Sequence, residues 1–313
     1  MYKKALQSKT AIYIILTIMA FTGLIHIMRT NTEKAEETQS VFTLSNKDNI
    51  IHEDLDGDIK KDSIIIKNTD NGIIGQVSLN KEETYSLTCH SDLPILGEFS
   101  EFWPCRISTI DISRNNSKEI IVQSSFHNKS VQHIFSWTGK NYKDIMRNNN
   151  NIIGITDSCN SKSPKVMSGN FEEGKIALKS YVWKENALKE YNADIKTIVP
   201  GCDTISNFIN LVESFPDPYL SVPNYFYPQI SSSDLESVFR IANSNFYLKF
   251  QDGYFIDLAW NEKGTITCEN WILNFRSIDT ANNNNIKCIT INIMLNMYND
   301  TDFPYKITSI NIY

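Results

Sequence analysis

Nine residues, DLDGDIKKD from Asp54 to Asp62, put carboxylates at loop positions one, three, five and nine, directly ahead of the apolar run Ser63-Ile64-Ile65-Ile66-Lys67. Alternate side chains on a curled loop converge on one point. A hard cation such as Ca²⁺ needs that convergence, because it takes about six to eight oxygens at roughly 2.3–2.6 Å. The chemistry on offer is therefore oxygen ligation of a divalent ion, and the competing reading is an unoccupied acidic turn. Lys60 and Lys61 lower the charge of the loop. An EF-hand does not fit, since a strand follows where a helix is required and position twelve is Ile65.

Other chemistry finds no pattern. His52, His90, His127 and His133 form no H-x-x-x-H pair on a helix, and the cysteines contain no C-x-x-C. A G-x-S-x-G elbow, a P-loop and a dinucleotide fingerprint are all missing from the sequence, so no catalytic residue is assigned. The net charge of −6 and the lack of a basic cluster argue against a nucleic-acid partner, whose phosphates demand a positive face. Trp103, Tyr219, Tyr225 and Tyr227 are candidates for a shallow surface that binds a peptide or sugar; the alternative is that these rings fill a seam between domains.

The elements that position these residues are mostly strands. Short runs rich in Ile, Val, Thr and aromatics recur at Ser63–Lys67, Gly72–Leu79, Tyr85–Cys89, Ile107–Ile112, Glu119–Ser124, Val131–Trp137 and Lys175–Trp183, separated by Asn, Asp, Ser and Gly turns. This pattern predicts antiparallel β structure over residues 41–200. Four of the nine prolines fall in FPDPYLSVPNYFYP, so residues 201–228 read as a Pro-rich connection. Beyond it, SSSDLESVFRIAN reads as a capped amphipathic helix with Ser233 ahead of Asp234 and Glu236. Strands follow at Phe246–Phe250, Tyr254–Trp260, Thr265–Arg276, Lys287–Tyr298 and Tyr305–Ile312, with turns at Gln251-Asp252-Gly253 and Asn261–Gly264. Residues 229–313 are thus expected to be a small α+β domain, one helix on an antiparallel meander.

The first region repeats itself. DISRNNSKEIIV, from Asp111, copies the layout of DLDGDIKKDSII at an offset of 57 residues (111 − 54), with Asp111, Ser113, Asn115 and Glu119 standing where Asp54, Asp56, Asp58 and Asp62 stood. A fainter third copy starts at Asp157, and HIFSWTGKNYKDI and SYVWKENALKEYNADI each place a tryptophan-ended strand before a polar turn and a tyrosine. Repeats of about 40 to 60 residues, each a small sheet, are how a β-propeller or related array looks in sequence.

On these residues, DLDGDIKKDSIII with DISRNNSKEIIVQ and IFSWTGKNY, the chain resembles the FG-GAP or VCBS-type repeats of integrin-alpha-like β-propellers over about residues 50–150, faintly to 198. The resemblance implies a Ca²⁺ that serves structure, with Asp54, Asp56, Asp58 and Asp62 as side-chain ligands and Lys60 as a backbone-carbonyl ligand. Two departures stand out. The family has Gly at the sixth loop position, where Ile59 stands here, and the second loop keeps only one Asp and one Glu. A closed four-bladed propeller needs about 200 residues, and residues 41–200 supply 160. The expectation is a partial, propeller-like array of degenerate repeats, or a sandwich-like pack of them.

Compartment is set at the N-terminus. Residues 10–28 hold 19 positions without Asp, Glu, Lys or Arg, close to the about 20 residues that span a bilayer core. Lys3, Lys4 and Lys9 precede them and Glu33, Glu36 and Glu37 follow, so the positive-inside rule keeps residues 1–9 inside and residues 30–313 outside. A cleaved signal peptide and a buried core helix are the alternatives. All six cysteines (Cys89, Cys105, Cys159, Cys202, Cys268, Cys288) then face an oxidising compartment. Fifteen pairings are open to six cysteines; Cys268 with Cys288 is the pair whose strands look adjacent, free thiols being the alternative. Two functions remain: a membrane-anchored extracellular binding or structural module with a Ca²⁺-stabilised repeat, meeting a protein or carbohydrate partner, or a surface hydrolase whose catalytic residues are unidentified.

Overall fold

Burial alternates along residues such as Asp62–Thr69 and Ile286–Met297, whereas Glu119–Phe126, Lys129–Trp137 and Ile152–Thr156 lie between layers and are buried almost throughout. In the computed structural model, residues 40–43, 49–80, 83–89, 95–157, 163–192, 199–217 and 221–313 are described. The expected anchor at residues 10–28 lies outside them, as do Tyr219, Cys159 and His90. Among the described residues no helix is long and apolar enough to cross a membrane.

Among the described residues seventeen strands form three sheets. Strands β2 (Asn49–Glu53), β3 (Asp62–Thr69), β4 (Gly72–Leu79) and β5 (Glu83–Ser86) make a four-stranded meander in chain order. The second meander is β6 (Arg106–Ile110), β7 (Glu119–Phe126), β8 (Lys129–Trp137) and β9 (Tyr142–Asn148), with β1 (Ser40–Thr43) added on the outer edge of β6. A third consists of β10 (Ile152–Thr156), β11 (Lys165–Glu172), β12 (Lys175–Lys184) and β13 (Ala187–Tyr191). The fourth, β14 (Phe246–Trp260), β15 (Ile266–Asp279), β16 (Ile286–Met297) and β17 (Tyr305–Ile312), joins the third edge to edge, because β10 pairs in parallel with β14 from Ile152↔Gly253 to Ile155↔Ile256.

The structure is thus mainly β and antiparallel, with no closed sheet among the described residues. Each sequence repeat is one meander: the Asp54, Asp111 and Asp157 segments all connect the first and second strands of their units. Both tryptophan–tyrosine tails are hairpins between third and fourth strands, β8–β9 and β12–β13. In the latter, Glu185 and Asn186 both take positive φ, the backbone of a tight two-residue hairpin.

The sheets stack through alternating side chains. Ile120 and Val122 of β7 point into a core shared with Ile64, Ile66 and Val77 of the first sheet. Ile121, between them, points the other way, into a core with Ile153, Ile155, Val166 and Tyr254. Beyond the eight-stranded sheet lies a third core, where Ile152, Phe255, Trp271 and Phe275 meet helix α1 (Cys202–Glu213) and helix α2 (Ser232–Ala242).

Four expectations change here. The eight-stranded sheet runs across the expected boundary, since residues 201–228 contain α1 and lead back to the sheet they left. Proline content assigns that helix to a connection, although Ile205, Phe208, Ile209 and Val212 have helical spacing and are all buried; two helices therefore accompany the C-terminal meander in place of one. The cap of α2 is Ser231, accepting the Asp234 N–H at 3.1 Å, rather than Ser233. Gln251-Asp252-Gly253 is no turn: β14 runs straight through with a register shift between Phe250 and Asp252.

Cys268 and Cys288 do not pair. Cys268 lies opposite Asn296 and Cys288 opposite Arg276, eight residues apart along β16 (296 − 288). At about 3.3 Å per residue that is roughly 26 Å, far beyond the reach of a disulfide. Among the described residues five cysteines are free thiols, Cys288 partly exposed and the other four buried.

Candidate metal centre

The first loop is curled by its own carboxylates. Asp54 accepts the Gly57 N–H at 2.8 Å and the Ile59 N–H at 2.9 Å, one on each oxygen. Asp56 takes the Asp58 N–H at 3.1 Å, and Asp58 takes the Lys60 N–H at 2.8 Å. These turns need left-handed backbone at Gly57 (φ 82°) and at Ile59 (φ 71°). Ile59 sits at the position where the resembled family has Gly, and the backbone keeps the glycine-like conformation with a β-branched residue in it.

Curling brings one carboxylate oxygen each from Asp54, Asp56 and Asp58 within 4.8 Å of one another. Burial pushes the Asp56 carboxyl up, the Asp58 N–H opposing and the charges of Asp62, Asp58 and Asp54 adding to the rise. Asp58 is held below the usual carboxylate range by the Lys60 N–H and then by the Lys60 ammonium, whose Nζ lies at 3.1 Å. A cation entering the group would therefore compete with Lys60. Asp62 has a different job from these three. It is buried, with Oδ2 accepting the Leu55 N–H at 2.9 Å and Oδ1 the Asn80 N–H at 2.9 Å, so it latches the loop to the hairpin beneath.

The second loop repeats this geometry. Asp111 accepts the Asn115 and Asn116 N–H groups at 3.1 and 2.9 Å, Asn115 accepts the Ser117 N–H at 2.8 Å, and Arg114 and Asn116 take positive φ where Gly57 and Ile59 do. Glu119 Oε2 accepts the Ile112 N–H at 2.7 Å, matching Asp62 on Leu55, and its other oxygen accepts the Ser136 hydroxyl at 2.9 Å. Burial pushes the Glu119 carboxyl up, against these hydrogen bonds. Ser113 contributes a hydroxyl 3.5 Å from Asp111. The carboxylates of this loop are spent on backbone N–H groups and serine hydroxyls, and a three-carboxylate group forms only in the first loop among the described residues.

The loops lie in a row. Lys118 N–H donates to the Leu55 carbonyl at 2.8 Å, and its Nζ meets Glu53 at 2.6 Å. Arg114 pairs with Asp157 of the third loop at 2.6 Å, and the Asp157 N–H reaches the Asp257 carboxylate of β14 at 3.2 Å. Each repeat thus hands its loop to the next.

The aromatic candidates are mostly interior. Trp103 is 8% exposed and its indole N–H donates to Asp252; Tyr225 is 6% exposed against Phe226 and Phe303. Tyr225 lies within the core, and Trp103 edges a small cavity with Phe99, Ser100 and Cys105. Tyr227 is half-buried edge-on to Tyr298.

A second group had no signal in the sequence. Cys89, His133 and Asp144 bring one ligand atom each within 4.8 Å of one another, and His133 Nδ1 lies 2.8 Å from Asp144 Oδ2. All three are buried in the layer between the first and second sheets, where burial pushes the Cys89 thiol up to about 12, Asp144 adding and Arg147 opposing.

No protein-family model and no curated protein matches the chain.

Proposed function

We propose that this chain is a membrane-anchored extracellular binding or structural module whose first repeat is clamped by Ca²⁺, with residues 10–28 as the anchor. The observation that carries the clamp is the convergence of Asp54, Asp56 and Asp58 on a loop held open to one side by its own backbone hydrogen bonds. An ion there would tie the β2–β3 connection and, through Lys118 and Leu55, stiffen its stacking on the second repeat. Lys60 competes for the same oxygens, which suits the weak affinity of about 10⁻⁴ to 10⁻³ M that external Ca²⁺ modules use. The stacked repeats supply a rigid body for display outside the cell, to an extracellular protein or carbohydrate.

The test is a thermal unfolding series on the detergent-solubilised full chain in millimolar Ca²⁺, in Mg²⁺ and in chelator. Ca²⁺ should raise the midpoint in proportion to the logarithm of its concentration above Kd, and Asp56→Ala should remove the rise. An unchanged midpoint in Ca²⁺, or an equal rise in Asp56→Ala, removes the clamp.

A further inference from the structure

Strand alternation and one parallel bridge build the Cys89–His133–Asp144 group. Thr88 bridges Lys143 in parallel, so the segment after β5 runs beside β9, and the residues flanking that bridge, Leu87 and Cys89 on one side and Tyr142 and Asp144 on the other, turn inward together. On β8, His133 and Phe135 share that inward face, their rings stacked at 5.7 Å. The β8–β9 ladder slips between Ile134↔Met146 and Phe135↔Asp144, leaving Ile145 as the extra residue. Tyr142, Lys143 and Asp144 keep the register of the β8–β9 hairpin, with Asp144 opposite Phe135, so the carboxylate shares the inward face and lies diagonally beside His133.

The result is a row across three adjacent segments, thiol, carboxylate, imidazole, with side chains almost wholly removed from solvent: 0% exposure for His133 and 2% for Asp144. Asp144 Oδ1 has no hydrogen-bond partner among the described residues, nor has His133 Nε2. A buried carboxylate ordinarily collects several donors, and this one holds a single contact to His133. Arg147, opposite His133 on β9, is a cation whose charge reaches Cys89, yet it leaves Asp144 Oδ1 without a hydrogen bond.

We propose that Cys89, His133 and Asp144 bind one Zn²⁺ ion between the first two sheets. Cys89 supplies thiolate sulfur, Asp144 a carboxylate oxygen and His133 the nitrogen facing Asp144, Nδ1; a water molecule takes the fourth tetrahedral position. Sulfur and imidazole select a borderline-soft ion over Ca²⁺ or Mg²⁺, so this site is chemically distinct from the Asp54 loop. Charge balances inside the layer: one thiolate and one carboxylate offset the two positive charges, with the imidazole neutral. On binding, the Cys89 thiol proton leaves to solvent, the imidazole carries its single proton on Nε2 so that Nδ1 is free to ligate, and imidazole and carboxylate move apart slightly to admit the ion. Bound there, zinc would pin the first sheet to the second through Cys89, the ligand contributed from the β5 side.

The experiment uses the detergent-solubilised full chain, stripped with chelator and titrated with Co²⁺ as a spectroscopic substitute for Zn²⁺. One equivalent of Co²⁺ should produce a thiolate-to-cobalt charge-transfer band that Zn²⁺ abolishes. The band should vanish in Cys89→Ser, and His133→Asn and Asp144→Asn should each weaken binding by about tenfold or more. Cys288→Ser and Asp56→Ala should leave it intact, which separates this site from the Ca²⁺ clamp. No band in the unaltered chain, or an undiminished band in folded Cys89→Ser, overturns the proposal. If Cys89→Ser fails to fold, alkylation of the unaltered chain decides: Zn²⁺ should slow modification of Cys89 about tenfold or more while leaving Cys288 unchanged, and equal rates for Cys89 with and without Zn²⁺ overturn the site.

Discussion

Gly57 of the first loop lies against Asn116 of the second, so closely that a methyl group added at Gly57 would sit 2.5 Å from the Asn116 carbonyl oxygen. The contact is backbone on backbone, and it joins two loops that are copies of each other. Gly57→Ala therefore meets two costs, a left-handed φ of 82° and a clash that a side chain cannot relieve by rotating. The expected loss is about 2 kcal/mol or more, of which roughly 1 belongs to backbone strain. Denaturant unfolding of the full chain measures it; an unchanged midpoint would mean that the loops do not pack as described.

Ile59 presents the opposite case. It takes φ 71° while 92% exposed, so its side chain gains little from packing and the strain goes uncompensated. The equivalent position of the second loop carries Asn116, a residue that tolerates the left-handed region. Ile59→Asn should raise stability by about 1 kcal/mol, read as a higher denaturant midpoint at unchanged slope. A lower midpoint would show that Ile59 makes a contact that outweighs its backbone.

Much of this architecture is written locally. Ile64 and Ile66 alternate into the core, the Asp54 and Asp111 loops declare themselves by carboxylate spacing, and both join first and second strands. Composition misleads where distant partners decide the outcome. Gln251-Asp252-Gly253 has turn chemistry, yet Asp252 finds Arg106, Trp103 and Asn274 and stays in a strand. The helical spacing from Ile205 to Val212 is present but lies beside four prolines, whose turn chemistry masks it. Cys89, His133 and Asp144 come together through the β8–β9 pairing and a parallel bridge at Thr88, and that bridge has no local signature.

The second and third sheets are joined by a buried ion pair, Arg106 Nη1 to Asp252 Oδ1 at 2.9 Å, each side chain 2% exposed. Asp252 also receives the Trp103 indole N–H and the Asn274 amide, while Arg106 Nε and Nη2 find no partner among the described residues. Removing the anion leaves a guanidinium stranded in a dry layer. Asp252→Ala should cost about 3–5 kcal/mol, and Arg106→Met combined with Asp252→Ala should recover a large part of it, because the pair's desolvation offsets most of its attraction. Urea unfolding of the single and double variants checks this, and additive losses would refute the coupling.

Stability should also fall as pH rises from about 4 to about 7. Glu269 is buried at the start of α1, accepting the Gly201 N–H at 3.2 Å and the Trp271 indole N–H at 2.8 Å, and burial lifts its carboxyl from 4.5 to about 7 despite both bonds. Asp257 is lifted the same way, to about 6, by burial against the Asp157 and Trp260 donors. Below the unfolded value both states hold the proton and no penalty exists. Above it the unfolded chain releases the proton first, so the folded state binds more protons and loses stability until pH passes about 7. For Glu269 the full effect is on the order of 3 kcal/mol, since each tenfold difference in proton affinity between the folded and unfolded chain is worth roughly 1.4 kcal/mol. Denaturant midpoints at about pH 5 and about pH 8 should therefore differ, with the lower pH more stable, and Glu269→Gln should flatten most of the slope while keeping an acceptor for Trp271. A slope unchanged in Glu269→Gln would assign the pH dependence to Asp257 or to groups outside this end of the sheet.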